Sequence, residues 1–227
     1  MDILTIARGP IFAFGLAVFV LGSLWRLIAI LRRPRMPDLS PQRAGAPSKL
    51  SGALHAIARG MWPRKEFGQT TIVASLNGYV FHIGLVLVFF GYAPHIAFIH
   101  RLTGLRLPAL PDPVMYLSAG VSIISLLLAL FYRLTNPVLK RISNADDIIS
   151  WALVLLPLVT GMAVVGETST VILARDHVIY GGPLAVHLLT LELLLVWFPF
   201  GKLMHAFLFF VARGATGIRF SHRGVKL

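Results

Sequence analysis

His187 and His205 lie eighteen residues apart in one long apolar stretch near the end of the chain. Eighteen residues make five turns of α-helix, so both imidazoles are expected on one helix face, about 27 Å apart at ~1.5 Å per residue. An earlier apolar stretch carries a second pair, His82 and His95. Ionisable side chains in a hydrocarbon core are usually functional, and neutral imidazole is a common axial ligand of haem iron. If the two helices run antiparallel, like depths pair: His82 with His205, and His95 with His187. Each pair is expected to hold one six-coordinate, low-spin b-type haem, one near each side of a bilayer. With both axial positions filled by protein, such a centre relays electrons and does not activate oxygen.

The second pair is less regular than the first. The thirteen residues from His82 to His95 advance a straight helix by ~20 Å but rotate it by about 220°. The two share a face only if the helix departs from straight, and Gly91 and Pro94 supply a reason for it to do so. His100 follows His82 by eighteen residues and is the rival ligand. It stands beside Arg101 at the water boundary, so His95 is preferred. A single membrane histidine is more often an interhelical hydrogen bond; four at paired depths favour a cofactor. His55, His177 and His222 fall in polar segments and are expected to be solvated.

The elements that must position these residues follow from composition. The chain has 227 residues, 56% hydrophobic and 13% charged, about half the charged fraction of ordinary soluble domains, roughly 25%. Five stretches approach the ~20 apolar residues a crossing helix needs: 10–31, 71–99, 114–133, 147–166 and 184–212. They predict an all-α bundle of five transmembrane helices forming a single domain over 1–227. The first stretch is too long for the apolar region of a signal peptide and lacks a small-residue cleavage site, so it is read as retained. The absence of cysteine excludes iron–sulfur ligation by this chain and thiol chemistry. No internal repeat, phosphate-binding glycine loop or nucleophile–base arrangement is present.

Fifteen of the twenty-one Lys and Arg residues lie in three segments, 32–65, 133–141 and 213–226. The other side keeps Arg8, Arg101, Arg106 and Arg175, while Arg26 and Lys202 lie within spans. This distribution predicts an outer N-terminus, a cytoplasmic C-terminus and a basic cytoplasmic loop at 32–70. The net charge of +12 then records topology and contact with anionic lipid rather than nucleic-acid binding. Within the loop, Leu50, Leu54, Ile57 and Met61 at helical spacing predict a short amphipathic helix from Ser48 to Met61. It would lie on the membrane surface or against a partner. Ser143 or Asn144 is expected to cap the fourth helix, with Asp146 and Asp147 in its first turn.

Other polar residues extend the chemistry. Glu192 is the only acidic residue deep in a span. With Tyr92, His100 and Arg106 it is a candidate for a quinone site at the outer rim, where Arg101, Arg175, Asp176 and His177 also stand. Arg26 and Lys202 are candidates to pair with haem propionates, or to snorkel.

The segment Phe81-His82-Ile83-Gly84, followed by Gly91 and then Pro94-His95, resembles the second helix of the respiratory nitrate reductase gamma-subunit family. Phe198-Pro199-Phe200-Gly201-Lys202-Leu203-Met204-His205, with His187 before it, is similar to that family's fifth helix. Asn144-Ala145-Asp146-Asp147 is similar too. The chain departs from the family where Tyr92, after Gly91, occupies the position of the second histidine. The Pro94-His95 arrangement and the ending Ser221-His222-Arg223-Gly224-Val225 look more like cytochrome b subunits attached to heterodisulfide-reductase-like iron–sulfur proteins, including those of dissimilatory sulfur metabolism. The resemblance implies a dihaem cytochrome b of a bacterial or archaeal cytoplasmic membrane. Its task would be quinol oxidation or quinone reduction, exchanging electrons with a cytoplasmic iron–sulfur subunit. The rival expectation is a haem-free membrane anchor or small transporter; a transporter favours inverted repeats and broken helices around a midplane site.

Overall fold

A computed structural model describes residues 2–34, 38–63, 68–171 and 181–225. The described residues are helical, without strands. In chain order the helices are α1 Ile3–Leu31, α2 Lys49–Gly60, α3 Gly68–Gly91, α4 Ala93–Thr103, α5 Asp112–Thr135, α6 Pro137–Ile142, α7 Ala145–Val171, α8 Gly181–Trp197 and α9 His205–Arg223. Four segments are long and apolar enough to cross a membrane: Ile3–Leu31, Thr71–Gly91, Asp112–Thr135 and Ala145–Val164. The bent pair Gly182–Trp197 and Lys202–Arg223 is a fifth candidate. The chain is an all-α membrane protein.

Two of the expected spans are not continuous helices. The stretch 71–99 breaks at Tyr92, whose backbone is extended (φ −79°, ψ 127°), and a new helix starts with Pro94 in its first turn. Proline cannot donate to the preceding turn but is well suited to a helix start. The stretch 184–212 breaks after Trp197, and the two parts meet at 76°. Here Pro199 withholds a donor, and Gly201 takes an extended conformation before a short 3-10 turn, Lys202–Met204. The 17 residues of α8 reach about 26 Å, close to the minimum crossing length.

The first helix begins well before residue 10. Pro10 does not end it, because a π-type turn over Ala7–Ile11 absorbs the missing donor. The loop helix forms as expected, and Ser48 caps it by accepting from the Ser51 N–H (3.2 Å). Asn144, rather than Ser143, caps α7: its Oδ1 accepts from Asp147 N, while Asp147 Oδ2 accepts from Asn144 N (3.3 and 3.0 Å).

The long helices pack in a row: α1 on α8, α8 on α7, α7 on α5, and α5 on α3. Phe12 of α1 meets Phe98 of α4 edge-on at 5.5 Å, which draws the two ends of the row together. Small and polar residues let the helices approach. Gly84 faces Ser118 and Ser122. Ser125 Oγ lies 2.8 Å from both Asn77 O and Asn77 Oδ1, and Asn77 Nδ2 donates to Ser125 O (2.9 Å). Trp151 Nε1 donates to Leu126 O (2.8 Å). Among the described residues, α3 and α4 share no extended packing surface with α8. Histidine rings from the two sides of the row face each other there.

Candidate functional site

The His82 and His205 rings have centroids 6.2 Å apart, with planes at 89°. The His95 and His187 rings are 6.3 Å apart and nearly parallel, at 14°. The rings thus come together two by two, His82 with His205 and His95 with His187, by a different geometry from a single straight helix face. His205 starts α9 beyond the α8 break, and His95 lies in α4 beyond the α3 break. The break at Tyr92 also removes the 220° mismatch between His82 and His95. Among the described ring contacts it is His95, and not His100, that faces His187.

Each Nδ1 is already engaged. His82 Nδ1 is 2.7 Å from Gly78 O, His95 Nδ1 is 3.0 Å from Val88 O, and His205 Nδ1 is 2.9 Å from Lys202 O. His187 Nδ1 is 3.3 Å from Thr160 Oγ1. A carbonyl only accepts, so three of the rings carry their proton on Nδ1 and leave Nε2 as a bare lone pair. This is the usual arrangement of metal-binding histidine, one nitrogen oriented by a hydrogen bond and the other on the metal. Val88 can serve His95 because carbonyls in the last turn of a helix run out of intrahelical donors.

The spacing selects what fits between the rings. With metal–imidazole bonds of about 2.0 Å and each nitrogen about 1.1 Å from its ring centroid, two axial imidazoles on one metal have centroids roughly 6.3 Å apart. Among the described residues no three His, Asp or Glu side chains converge on one point. Two imidazoles leave a bare ion under-coordinated; a macrocycle carrying its own four equatorial nitrogens completes the shell. The 6.2 and 6.3 Å ring separations match the spacing such a group requires at both pairs.

The candidate quinone residues are not brought to one place. Tyr92 is buried among Leu87, Leu110, Met115 and Tyr116, and its ring lies 5.2 Å from that of His95. Glu192 is on the α1 side, packed where Gly15 leaves room for it. Arg106 is exposed in the irregular segment after α4. Tyr92 Oη, His100 Nδ1 and both carboxyl oxygens of Glu192 are buried without a hydrogen-bond partner, an uncommon state for polar atoms. Arg175, Asp176 and His177 lie outside the described residues.

Arg26 and Lys202 do not present free charges to a propionate. Arg26 Nη1 donates to Pro199 O (2.6 Å) and Gly201 O (3.2 Å), closing the carbonyls exposed by the α8 break. Lys202 Nζ pairs with Asp147 Oδ2 (2.6 Å), and Arg133 Nη1 with Asp147 Oδ1 (3.2 Å). Trp197 Nε1 donates to Ser150 Oγ, and Ser150 Oγ to Asp146 Oδ1 (2.9 and 2.8 Å). These contacts tie the break to the start of α7 and hold His205 in place.

Thr160 escaped the sequence reading. It sits on α7, its hydroxyl donates to Leu156 O (2.7 Å), and it touches both His187 and Thr190. A threonine in an apolar span carries no spacing signal, so only the helix packing could reveal it.

Glu192 gives a first prediction. Its carboxyl is buried without partners, and an orphaned buried polar group costs about 1–3 kcal/mol. Glu192→Leu should therefore raise the thermal stability of the detergent-solubilised protein, and Glu192→Gln should leave it nearly unchanged. A fall in midpoint temperature for Glu192→Leu would show that the carboxyl has a partner in solution.

No family model matches the chain. It is similar to a protein of Nitratidesulfovibrio vulgaris strain Hildenborough, with 30% identity over 204 residues, 89% of this chain and 82% of the relative. The relative's name, "Protein", states no activity.

Proposed function

We propose that this chain, which belongs to one family with that Nitratidesulfovibrio vulgaris protein, is the dihaem cytochrome b subunit of a membrane oxidoreductase. It exchanges electrons between the quinone pool and a cytoplasmic iron–sulfur partner. The observation that carries this reading is the pair of 6.2 and 6.3 Å imidazole separations on facing sides of the bundle. Bound there, two b-type haems would supply one-electron redox centres at two depths of the bilayer.

The chain's own residues do the rest. Gly78, Val88 and Lys202 carbonyls and the Thr160 hydroxyl orient the four imidazoles. His95 and His187 are partly enclosed by the helices, whereas His82 and His205 lie exposed on the bundle surface. Quinol oxidation releases two protons with its two electrons, and quinone reduction takes up the same. The headgroup is placed at the outer side, where Tyr92 Oη and His100 Nδ1 have no protein partner and Tyr92 adjoins His95. The positive-inside distribution supports an outer N-terminus and a bacterial or archaeal cytoplasmic membrane.

A reduced-minus-oxidised visible spectrum of the purified protein tests the proposal. The expected result is a bis-histidine b-type signal at about two haems per chain. A protein purified from a haem-sufficient host without such a signal is an anchor or transporter instead.

Thr160 permits a finer prediction. Removing its hydroxyl takes away the side-chain partner of His187 Nδ1, leaving only the backbone of Pro157, which would make the ligand less basic and disfavour the ferric form. Thr160→Val should raise the outer-haem midpoint potential by on the order of 40 mV, the one-electron equivalent of ~1 kcal/mol. Thr160→Ser should restore it. Redox titration of the two variants decides, and an unchanged outer potential in Thr160→Val refutes the role.

A further inference from the structure

The pair formed by α2 and α9 takes no part in holding the imidazoles beyond His205 itself. One face of α2 is fully used. Gly52 packs on Gly217 and Ser221, and Gly214 on Ala53 and Ile57. Asp38 accepts from Arg223 Nε (2.7 Å), Arg43 donates to Gly224 O (3.0 Å), and His222 Nε2 meets Ser40 O (2.8 Å). The Arg223 guanidinium holds the Asp38 carboxyl well below the usual carboxylate range. The clasp is thus intact at neutral pH and lost only as pH falls into the acid range.

A second face of α2 is not used. Leu50, Leu54 and Met61 lie on one side at helical spacing and are 69%, 57% and 46% exposed. Trp62 follows at 68% exposed. This face is not remote from the bundle. The Trp62 ring is 6.2 Å from Tyr79 of α3, one turn before His82. Gly60 abuts Phe209 and Arg213, about one and two turns after His205. The C-terminal end of α2 therefore stands at the level of the inner histidine pair. Since α9 leaves α8 at 76°, it runs across the bundle end. Lys49, Arg59, Arg213 and Arg219 lie on the two helices, which contain no Asp or Glu.

We propose that α2 and α9 form an interfacial platform that binds anionic phospholipid. Leu50, Leu54 and Met61 enter the acyl boundary, Trp62 anchors the end of α2 against α3, and the basic residues meet the phosphates. An apolar helix face with basic flanks at the membrane surface has this partition behaviour, and basic residues concentrate anionic lipid there. A cytoplasmic protein surface fits less well, because the stripe begins beside a membrane-spanning helix. The inference rests on the membrane fold and not on the haem reading.

The chain has no cysteine, so single spin labels can be placed directly in the full-length protein. Labels at L50C and L54C are compared with S51C and H55C, which occupy other exposed positions on the helix. The protein is held in nanodiscs of phosphatidylcholine with or without phosphatidylglycerol. The expected result is that Leu50 and Leu54 labels collide with oxygen in preference to a nickel chelate, and Ser51 and His55 labels the reverse. The contrast should grow with phosphatidylglycerol. Native mass spectrometry should show phosphatidylglycerol retained several-fold over phosphatidylcholine, and K49E/R213E should abolish that preference. Chelate access at Leu50 equal to that at His55 overturns the proposal. So does spin–spin broadening between chains, which would make the occupant a second copy. The labels sit on exposed positions, and an unchanged visible spectrum or elution profile verifies the fold.

Discussion

His205→Ala is expected to remove the inner haem and leave most of the outer one, and His187→Ala to do the reverse. Each ring opposes one partner only: His205 faces His82 across 6.2 Å, and His187 faces His95 across 6.3 Å. Loss of one axial imidazole leaves a two-ligand site with a single protein ligand. The other pair is oriented by different carbonyls on different helix ends, so the losses should be separable. Haem counting with spectra resolved by redox titration should give about half the wild-type haem in each variant, with the high- and low-potential components lost in turn. Loss of the same component in both variants would break the pairing. His95→Ala should match His187→Ala, whereas His100→Ala should keep both haems.

Gly84→Leu is expected to have the largest effect on the fold. A Cβ at Gly84 would lie 3.0 Å from Ser118 O and closer still to Ser122 Oγ. Ser122 is fully buried and donates to Ser118 O (2.7 Å), so it has little room to yield. Overpacking of this kind costs typically 1–3 kcal/mol and more where backbone must move. Here α3 would be pushed from α5, carrying His82 with it, two residues away. The expected outcome is a lower midpoint temperature with preferential loss of the inner haem. Gly84→Ala should show the same pattern more weakly. Full haem content and unchanged stability in Gly84→Leu would mean that α3 and α5 are not so close.

Much of this was legible in the chain. Apolar length alone finds the four long candidate spans and the bent fifth, because each crossing element must satisfy its own backbone in hydrocarbon. Depth alone pairs His82 with His205 and His95 with His187. What could not be read is how the pairs meet. Pro94 and Pro199 mark weak points in their helices, but whether proline bends, breaks or is absorbed depends on neighbours. Pro10 stays within a helix through a π-type turn, whereas Pro199 stands in a 76° break fixed by Arg26 from α1. The partners that Arg26 and Lys202 have in the structure could not be read, because they are distant in sequence. Pro199 lies 173 residues from Arg26, and Asp147 lies 55 residues from Lys202. The quinone candidates illustrate the same limit: Tyr92 and Glu192 are both buried near helix interfaces, yet they face different neighbours.

The acceptors on the four Nδ1 atoms also bear on how such a protein can diverge. Three of them belong to the main chain, at Gly78, Val88 and Lys202. A carbonyl is present whatever side chain its residue carries, so those three imidazoles keep their tautomer through any drift that preserves the backbone. The fourth ring, His187, has a side-chain partner, Thr160, beside the backbone of Pro157, and a single base change can delete that hydroxyl. If redox centres occupy the two pairs, a change at one codon would retune the His95–His187 pair while the His82–His205 pair stays fixed by the path of the chain.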